Sequence, residues 1–145
     1  MLLSVGSGLT SALDSPTANG IGSVAICSSG DGTTNSFNGA IATGNHALAL
    51  MAGANASNVN TIAIGVASEA SANNALGLGA NSTANATYTT AIGSGGTTRA
   101  TATQATAVGA LALGGNATAG AKAAGANSIA IGGQAVANSA NSVAM

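Results

Sequence analysis

Side chains capable of acid–base, metal or nucleophilic chemistry are rare in this sequence of 145 residues. They comprise three acids, two basic residues, one histidine and one cysteine: Asp14, Asp31, Glu69, Arg99, Lys122, His46 and Cys27. Catalysis needs a nucleophile, a base and an orienting group that converge on one point, and these residues are widely separated along the chain. We therefore predict that the protein is not an enzyme and uses no cofactor.

Three short segments resemble ligand-binding loops but lack the partners that such loops require. Asp31 lies in a Gly-Asp-Gly turn, yet a calcium site needs several oxygen ligands and no second acid is close in sequence. Glycines at 77–79 and 93–96 are followed by neither a helix nor a lysine, as a phosphate loop would be. The lone Cys27 rules out a cysteine-based metal site. We predict no metal site, and a surface or loop position for His46.

The overall composition argues against a wide hydrophobic core and against charged partners. Hydrophobic residues make up 46% of the chain, but most are alanine, and the chain has one Phe, one Tyr and no Trp. Few side chains could therefore fill a globular interior. Two basic residues are too few for nucleic-acid binding or for a basic membrane-surface helix, and no apolar stretch is long enough to span a bilayer. We predict no nucleic-acid partner and no direct membrane insertion by this chain.

A four-residue pattern, apolar-Ala-apolar-Gly, recurs at a fixed spacing. Its first residue lies at 48, 62, 76 and 90 and again at 129 and 143, in steps of 14 residues. The steps from 90 to 111 and from 111 to 129 are longer by seven and by four residues, which indicates an insertion in each coil. Apolar residues at every second position are typical of a strand, and a fixed period indicates a solenoid.

A second short strand is predicted in each coil from a small-variable-small pattern, whose last residue lies eight positions after the start of the first pattern. That residue is alanine in five coils: Ala56, Ala70, Ala84, Ala119 and Ala137. We predict an all-β solenoid of about 14-residue coils, with two short strands per coil, for residues 21–145. Residues 1–20 are expected to form an irregular segment or cap. Because the repeat stops part-way at Met145, the chain is expected to be a piece of a longer repetitive protein.

The direction of the side chains follows from which strand face is assigned to the interior. We expect the branched aliphatic residues to be buried between the two strands: Ile62, Ile64, Leu76, Leu78, Leu111, Leu113, Ile129 and Ile131. The variable residues of the second strand are expected to be exposed: Asn55, Glu69, Thr83 and Thr118. The central alanines of the first pattern would then form a flat column that another chain can approach closely. Because one such coil buries little apolar surface, we predict a parallel homotrimer.

The last two repeats carry a family resemblance. Asn-Ser-Ile-Ala-Ile-Gly-Gly-Gln-Ala at 127–135, followed by Asn-Ser-Val-Ala-Met at 141–145, resembles the head repeat of the trimeric autotransporter adhesins. The resemblance covers roughly residues 20–145. It implies a left-handed parallel β-roll, three copies around a threefold axis, and display on the bacterial surface; similar rolls occur in phage fibres. The Asn-Ser pair is replaced by Asn60-Thr61 and by Asn74-Ala75 in earlier coils.

The function expected from this resemblance is extracellular attachment, on a bacterial surface or in a phage fibre, with a host matrix protein, glycan or cell surface as partner. The alternatives are a spacer filament without a ligand of its own and, on weaker grounds, an ice- or crystal-binding solenoid.

Six residues are candidates for ligand contacts. Arg99 and Lys122 fall in the two coils with insertions, where a trimer would present six positive charges to an acidic glycan. Asn127, Ser128, Asn141 and Ser142 match the family pattern that is associated with matrix-protein binding. The alternatives are that Asn and Ser close turns by local hydrogen bonds, and that the insertions are tolerated loops with solvated charges.

Overall fold

The computed structural model describes residues 3–5, 15–27 and 39–145, with only the backbone described for 3–5. Asp14 and Asp31 lie outside these ranges, as does the Gly-Asp-Gly turn. Every regular element in the described ranges is a β-strand. Within them, no helix has the length and apolar character needed to cross a membrane.

The strands alternate along the chain between two sheets. Sheet A contains nine strands: β1 (Leu3–Val5), β3 (Val24–Ile26), β5 (Leu48–Leu50), β7 (Ile62–Ile64), β9 (Leu76–Leu78), β11 (Thr90–Ile92), β13 (Leu111–Leu113), β15 (Ile129–Ile131) and β17 (Val143–Ala144). Sheet B contains eight: β2 (Thr17–Ala18), β4 (Ile41–Ala42), β6 (Asn55–Ala56), β8 (Glu69–Ala70), β10 (Thr83–Ala84), β12 (Gln104–Ala105), β14 (Lys122–Ala123) and β16 (Val136–Ala137). The prediction of an all-β solenoid with two strands per coil is confirmed.

Each strand pairs in parallel with the equivalent strand of the next coil, so that like residues stack on like. Ile62 stands beside Leu76 in sheet A, and Ala70 stands beside Ala84 in sheet B. β1 and β2 join these ladders although they lie within residues 1–20, for which we predicted an irregular segment or cap. The division of the chain at residue 20 stays a prediction, with paired strands on both sides of it.

The interior between the two sheets is filled by alanine. Except for Ala18 and Ala144 in the terminal strands, the central alanines of the sheet A strands and the alanines of sheet B are buried, for example Ala63 and Ala91 opposite the layer of Ala70 and Ala84. The space is narrow enough that at Gly77 an added Cβ would lie 2.6 Å from the carbonyl oxygen of Glu69. Only small side chains fit between sheets at this distance.

The predicted burial of the branched aliphatic residues is wrong. In sheet A the alanines point inward, and the aliphatic residues point outward: Ile62, Ile64, Leu76, Leu78, Leu111, Leu113, Ile129 and Ile131. In the single chain Ile62, Leu78, Leu113 and Ile131 are 37–38% exposed, and the other four are half-buried. The physical reason is size, because an Ile or Leu side chain would force the two sheets apart.

In sheet B the predicted direction is right, but the predicted exposure is only partly right. Asn55 and Glu69 point outward and are half-buried, whereas Thr83 is 6% exposed. Thr118 is exposed but lies in a turn; Lys122 occupies the outward position of that coil, and Ala123, rather than Ala119, occupies the inward one.

All variation in coil length falls in the turn that leads from sheet A to sheet B. The return turn from sheet B to sheet A has five residues in every coil, as between Ala56 and Ile62. The forward turn has four residues in a regular coil, as at 65–68, but eleven at 93–103 and eight at 114–121. The seven- and four-residue insertions therefore lie on the same edge of the roll, in adjacent coils.

We predict that enlarging an inward side chain destabilises the fold more than altering an outward one. Ala63→Leu should lower the free energy of unfolding by about 1–3 kcal/mol, because overpacking displaces the sheets. The adjacent outward change Ile62→Leu conserves volume and should cost less than about 1.5 kcal/mol, and less than Ala63→Leu. Urea unfolding followed by circular dichroism, at one fixed protein concentration, measures both. A larger loss for Ile62→Leu would contradict the assignment of the interior.

Candidate ligand surface

The Asn-Ser pairs lie in the five-residue return turn, immediately before a sheet A strand. Asn127 and Asn141 adopt left-handed backbone conformations, with φ of 53° and 57°, and both are exposed. The Ser142 hydroxyl donates to the carbonyl oxygen of Ser139 at 2.6 Å, which closes the turn. Asparagine tolerates this conformation better than most residues, which explains its recurrence there.

Ser128 occupies an interior position. Its side chain is fully buried, so its hydroxyl is not available to a ligand at the surface. At the equivalent positions of earlier coils, Ser23 and Thr61 donate to the carbonyl oxygen three residues before them, at 2.7 and 2.6 Å. The geometry therefore supports a turn-forming role for Ser23, Thr61 and Ser142, whereas the buried Ser128 hydroxyl has no hydrogen-bond partner within the described residues. His46 takes the place of Asn in the same turn and is exposed, as expected.

Arg99 is held against the outer face of sheet B. Its Nη1 lies 2.7 Å from Oε2 of Glu69, and its Nη2 donates to the carbonyl oxygen of Ala67 at 3.0 Å. The side-chain amide of Gln104 donates to the carbonyl oxygens of Arg99 and Ala100 at 2.7 and 2.8 Å. The outward residues of successive sheet B strands form a column, the outward column, in which Thr83 lies between Glu69 and Gln104. The inserted loop at 93–103 contacts both of these neighbours, which accounts for the low exposure of Thr83.

The two insertions also pack against each other. The N–H of Gly120 donates to the carbonyl oxygen of Thr101 at 2.8 Å, and the N–H of Gly96 donates to that of Asn116 at 3.0 Å. A Cβ added at Gly120 would clash with the backbone nitrogen of Thr103, so this approach requires glycine. The seven- and four-residue insertions therefore form one ordered structure.

A pocket of about 310 Å³ opens between these insertions on the outer face of sheet B. Successive outward residues of three strands line it: Gln104 of β12, Lys122 of β14 and Val136 of β16. The rest of its lining comes from the loop at 100–102 and the turn at 118–120, with Gln134 beside Val136. Lys122 is the one charged residue that lines it.

The structure thus separates the two basic residues that the sequence grouped together. Arg99 pairs with Glu69, whereas Lys122 is exposed and has no ion-pair partner among the described residues. Within the residues that the structure describes, no group of three or more His, Cys, Asp or Glu side chains could hold a metal ion.

Sequence reasoning missed Gln104 and Glu69 as anchors of the inserted loop. The available signal was that both residues occupy the same outward position in their coils. That position can be assigned to Gln104 only when the seven-residue insertion is placed before it.

Two comparisons with known proteins agree with this geometry. The family model of the YadA head domain repeat matches residues 56–76, 70–95 and 123–145. The crystal structure of the collagen-binding domain of the Yersinia adhesin YadA aligns with a TM-score of 0.61 and 24% sequence identity, over 99% of this chain and 79% of that one. The chain shares the fold of the YadA head. This confirms the resemblance to trimeric autotransporter adhesin heads. No curated protein has a significant match to the chain.

The YadA head repeats and the insertions occupy different parts of the chain. The matched ranges end at residue 95 and resume at residue 123, so the interval 96–122 lies outside the family pattern. That interval contains Arg99, Gln104 and Lys122, together with the contacts that join the two insertions. The pocket is therefore formed mainly by residues that the YadA head repeat does not include.

We predict a small, salt-sensitive coupling between Arg99 and Glu69. Their side chains are 47% and 20% exposed, so a double-mutant cycle with Arg99→Gln and Glu69→Gln should give less than about 1 kcal/mol at low salt, and less still in high salt. As a control, a cycle between Glu69→Gln and Lys122→Gln should show no coupling, because three coils, roughly 14 Å, separate the two residues. Equal coupling in both cycles would contradict the specific contact.

Proposed function

We propose that this chain is a non-enzymatic attachment module, a head segment exposed outside the cell on a bacterial surface or in a phage fibre. The observation that carries the proposal is the set of YadA head repeats within a roll that aligns with a collagen-binding adhesin domain. Collagen is therefore the first host matrix protein to test. Exposed residues of the return turns, including Asn127 and Asn141, and the pocket at Lys122 are the surfaces offered to a ligand.

The proposed assembly is a parallel homotrimer of left-handed rolls, and the support for it comes from the outer face of sheet A. Two columns of side chains run along this face. One column is Val24, Leu48, Ile62, Leu76, Thr90, Leu111, Ile129 and Val143, and the other is Ile26, Leu50, Ile64, Leu78, Ile92, Leu113, Ile131 and Met145. In the single chain, seven of these sixteen side chains are at least 37% exposed and the others are half-buried. A contiguous apolar surface of this kind marks an interaction site.

Other copies of the same chain fit this face best. The columns run the length of the stack, on the order of 40 Å, so parallel copies can bury them along their whole length. Cyclic symmetry closes such an assembly without leaving an apolar face exposed. The aliphatic columns therefore replace the alanine column as the reason for expecting a trimer.

Two other functions are less well supported. A spacer filament without a ligand is favoured by the turn-closing role of the serine and threonine hydroxyls. An ice-binding solenoid needs a regular array of threonine on a flat face. The outward column of sheet B instead reads Thr17, Ile41, Asn55, Glu69, Thr83, Gln104, Lys122 and Val136.

We predict that a charge on the outer face of sheet A disrupts assembly, whereas one on sheet B does not. Leu78→Glu should convert a trimer into monomers at micromolar concentration, because the carboxylate would be buried without a partner. Val136→Glu adds the same charge to the outer face of sheet B, at a side chain that is 51% exposed, and should leave the trimer intact. Sedimentation velocity distinguishes the two results. A stable folded monomer of the unaltered chain would contradict the proposed assembly.

We expect the trimeric chain to adhere to at least one host surface. Surface plasmon resonance on immobilised collagen and fibronectin, with binding to cultured cells, measures this. Leu78→Glu is the matched control, because loss of the trimer removes multivalent contact and should weaken attachment by roughly 100-fold or more. Failure of the unaltered trimer to bind any of these surfaces would favour the spacer filament instead.

A further inference from the structure

We propose that the pocket at Lys122 binds a single carboxylated sugar, such as the acidic terminal residue of a glycan. This proposal rests on the proposed attachment function and identifies a class of ligand for it. The starting observation is that residues 96–122, which depart from the YadA head repeat, build an ordered pocket on the outer face of sheet B. Because that face is opposite to the aliphatic columns, the pocket stays open in the proposed trimer.

The pocket is built by specific contacts and does not arise from loose loops. Gln104 fixes the inserted loop by two hydrogen bonds, and Arg99 fixes it to Glu69 two strands away. The Gly120 to Thr101 hydrogen bond joins the loop to the neighbouring turn. A binding site held in this way loses little conformational entropy when a ligand enters.

The charge in the pocket selects an anion that carries one negative charge. Lys122 lacks an ion-pair partner among the described residues and is the one charged residue in the lining. Three backbone N–H groups of the lining, those of Thr118, Gly120 and Gln134, already donate within the chain. One ammonium group without a cluster of N–H donors suits a carboxylate better than a phosphate or sulfate dianion.

The rest of the lining suits the ring of a sugar. Methyl groups of Ala100, Ala119 and Val136 offer an apolar surface to the C–H face of a ring. The side-chain amide nitrogen of Gln104 is occupied by the loop, which leaves its oxygen to accept a hydrogen bond from a sugar hydroxyl. The volume of about 310 Å³ is at the lower end for small-ligand pockets, so it admits a ring or two but not a long chain.

The test measures the binding of glucuronic acid and N-acetylneuraminic acid, each beside its methyl ester, to the full chain by saturation-transfer NMR and calorimetry. We expect at least one of the two acids to bind. Its methyl ester should bind at least ten-fold more weakly than the acid, because the ester lacks the negative charge. Equal binding of acid and ester, or no binding of either acid at millimolar concentration, overturns the proposal. This comparison uses the unaltered chain and so does not depend on the folding of a variant.

Two variants locate the site. Lys122→Gln removes the charge from an exposed side chain and should reduce binding of the acid to the level of the ester. The double variant Val59→Lys with Lys122→Gln restores the net charge at an exposed position of a return turn, away from the pocket, and should not restore binding. If either variant binds the acid like the unaltered chain, the acid is held by charge alone or elsewhere, and the proposal is wrong.

The same variants distinguish failure of this proposal from failure of the proposed function. If the trimer attaches to collagen or cells and Lys122→Gln attaches equally, while no acidic sugar binds, the pocket proposal is overturned and attachment stands. If the acidic sugars bind through Lys122 but the trimer attaches to no host surface, the pocket is supported and the proposed attachment function is contradicted.

Discussion

The distance between the two sheets governs the rest of this structure. In the regular coils, strands of two or three residues, joined by turns of four and five, bring the sheets so close that alanines of the two sheets fill the space between them. At Gly77 even a methyl group would approach a carbonyl oxygen too closely. Larger side chains must therefore point outward, and sheet A acquires an apolar outer face that a single chain leaves partly exposed. The proposed assembly rests on the narrow interior.

The ladders also determine where the chain can vary. Residues that stack from coil to coil cannot be inserted or removed without breaking hydrogen bonds along the whole sheet, whereas a turn at one edge can lengthen at small cost. All length variation lies in the forward turn, and the two longest described examples are adjacent and bonded to each other. The repeats thus provide a uniform scaffold, and within the described ranges both basic side chains and the contacts that join the insertions lie in residues 93–122.

Much of the fold could be predicted from the sequence, since a 14-residue period and apolar residues at every second position specify a solenoid with two strands per coil. The direction of the side chains could not, because Ile-Ala-Ile alternation reveals two faces without revealing which one is inside. Only the distance between the sheets decides which face is inside, and that distance depends on the whole coil.

The strand pairing in the insertions was also ambiguous from the sequence, because Ala117-Thr118-Ala119 and Ala121-Lys122-Ala123 both fit the small-variable-small pattern. Pairing of Lys122 with Gln104 and Val136 selects the second triplet. The contact of Arg99 with Glu69 joins residues 30 positions apart and leaves no local signal.

The central claim is that alanine methyl groups lie inside each roll while the aliphatic side chains meet between chains. Isotope-filtered NOE spectroscopy on a trimer assembled from two differently methyl-labelled populations of the unaltered chain tests it directly. The account predicts intermolecular contacts from the methyl groups of Leu78, Leu113 and Ile131. It predicts only intramolecular contacts, to the alanines of sheet B, from Ala63 and Ala112. Intermolecular contacts from the alanine methyl groups, with the leucine and isoleucine methyl groups in contact with sheet B of their own chain, would contradict it.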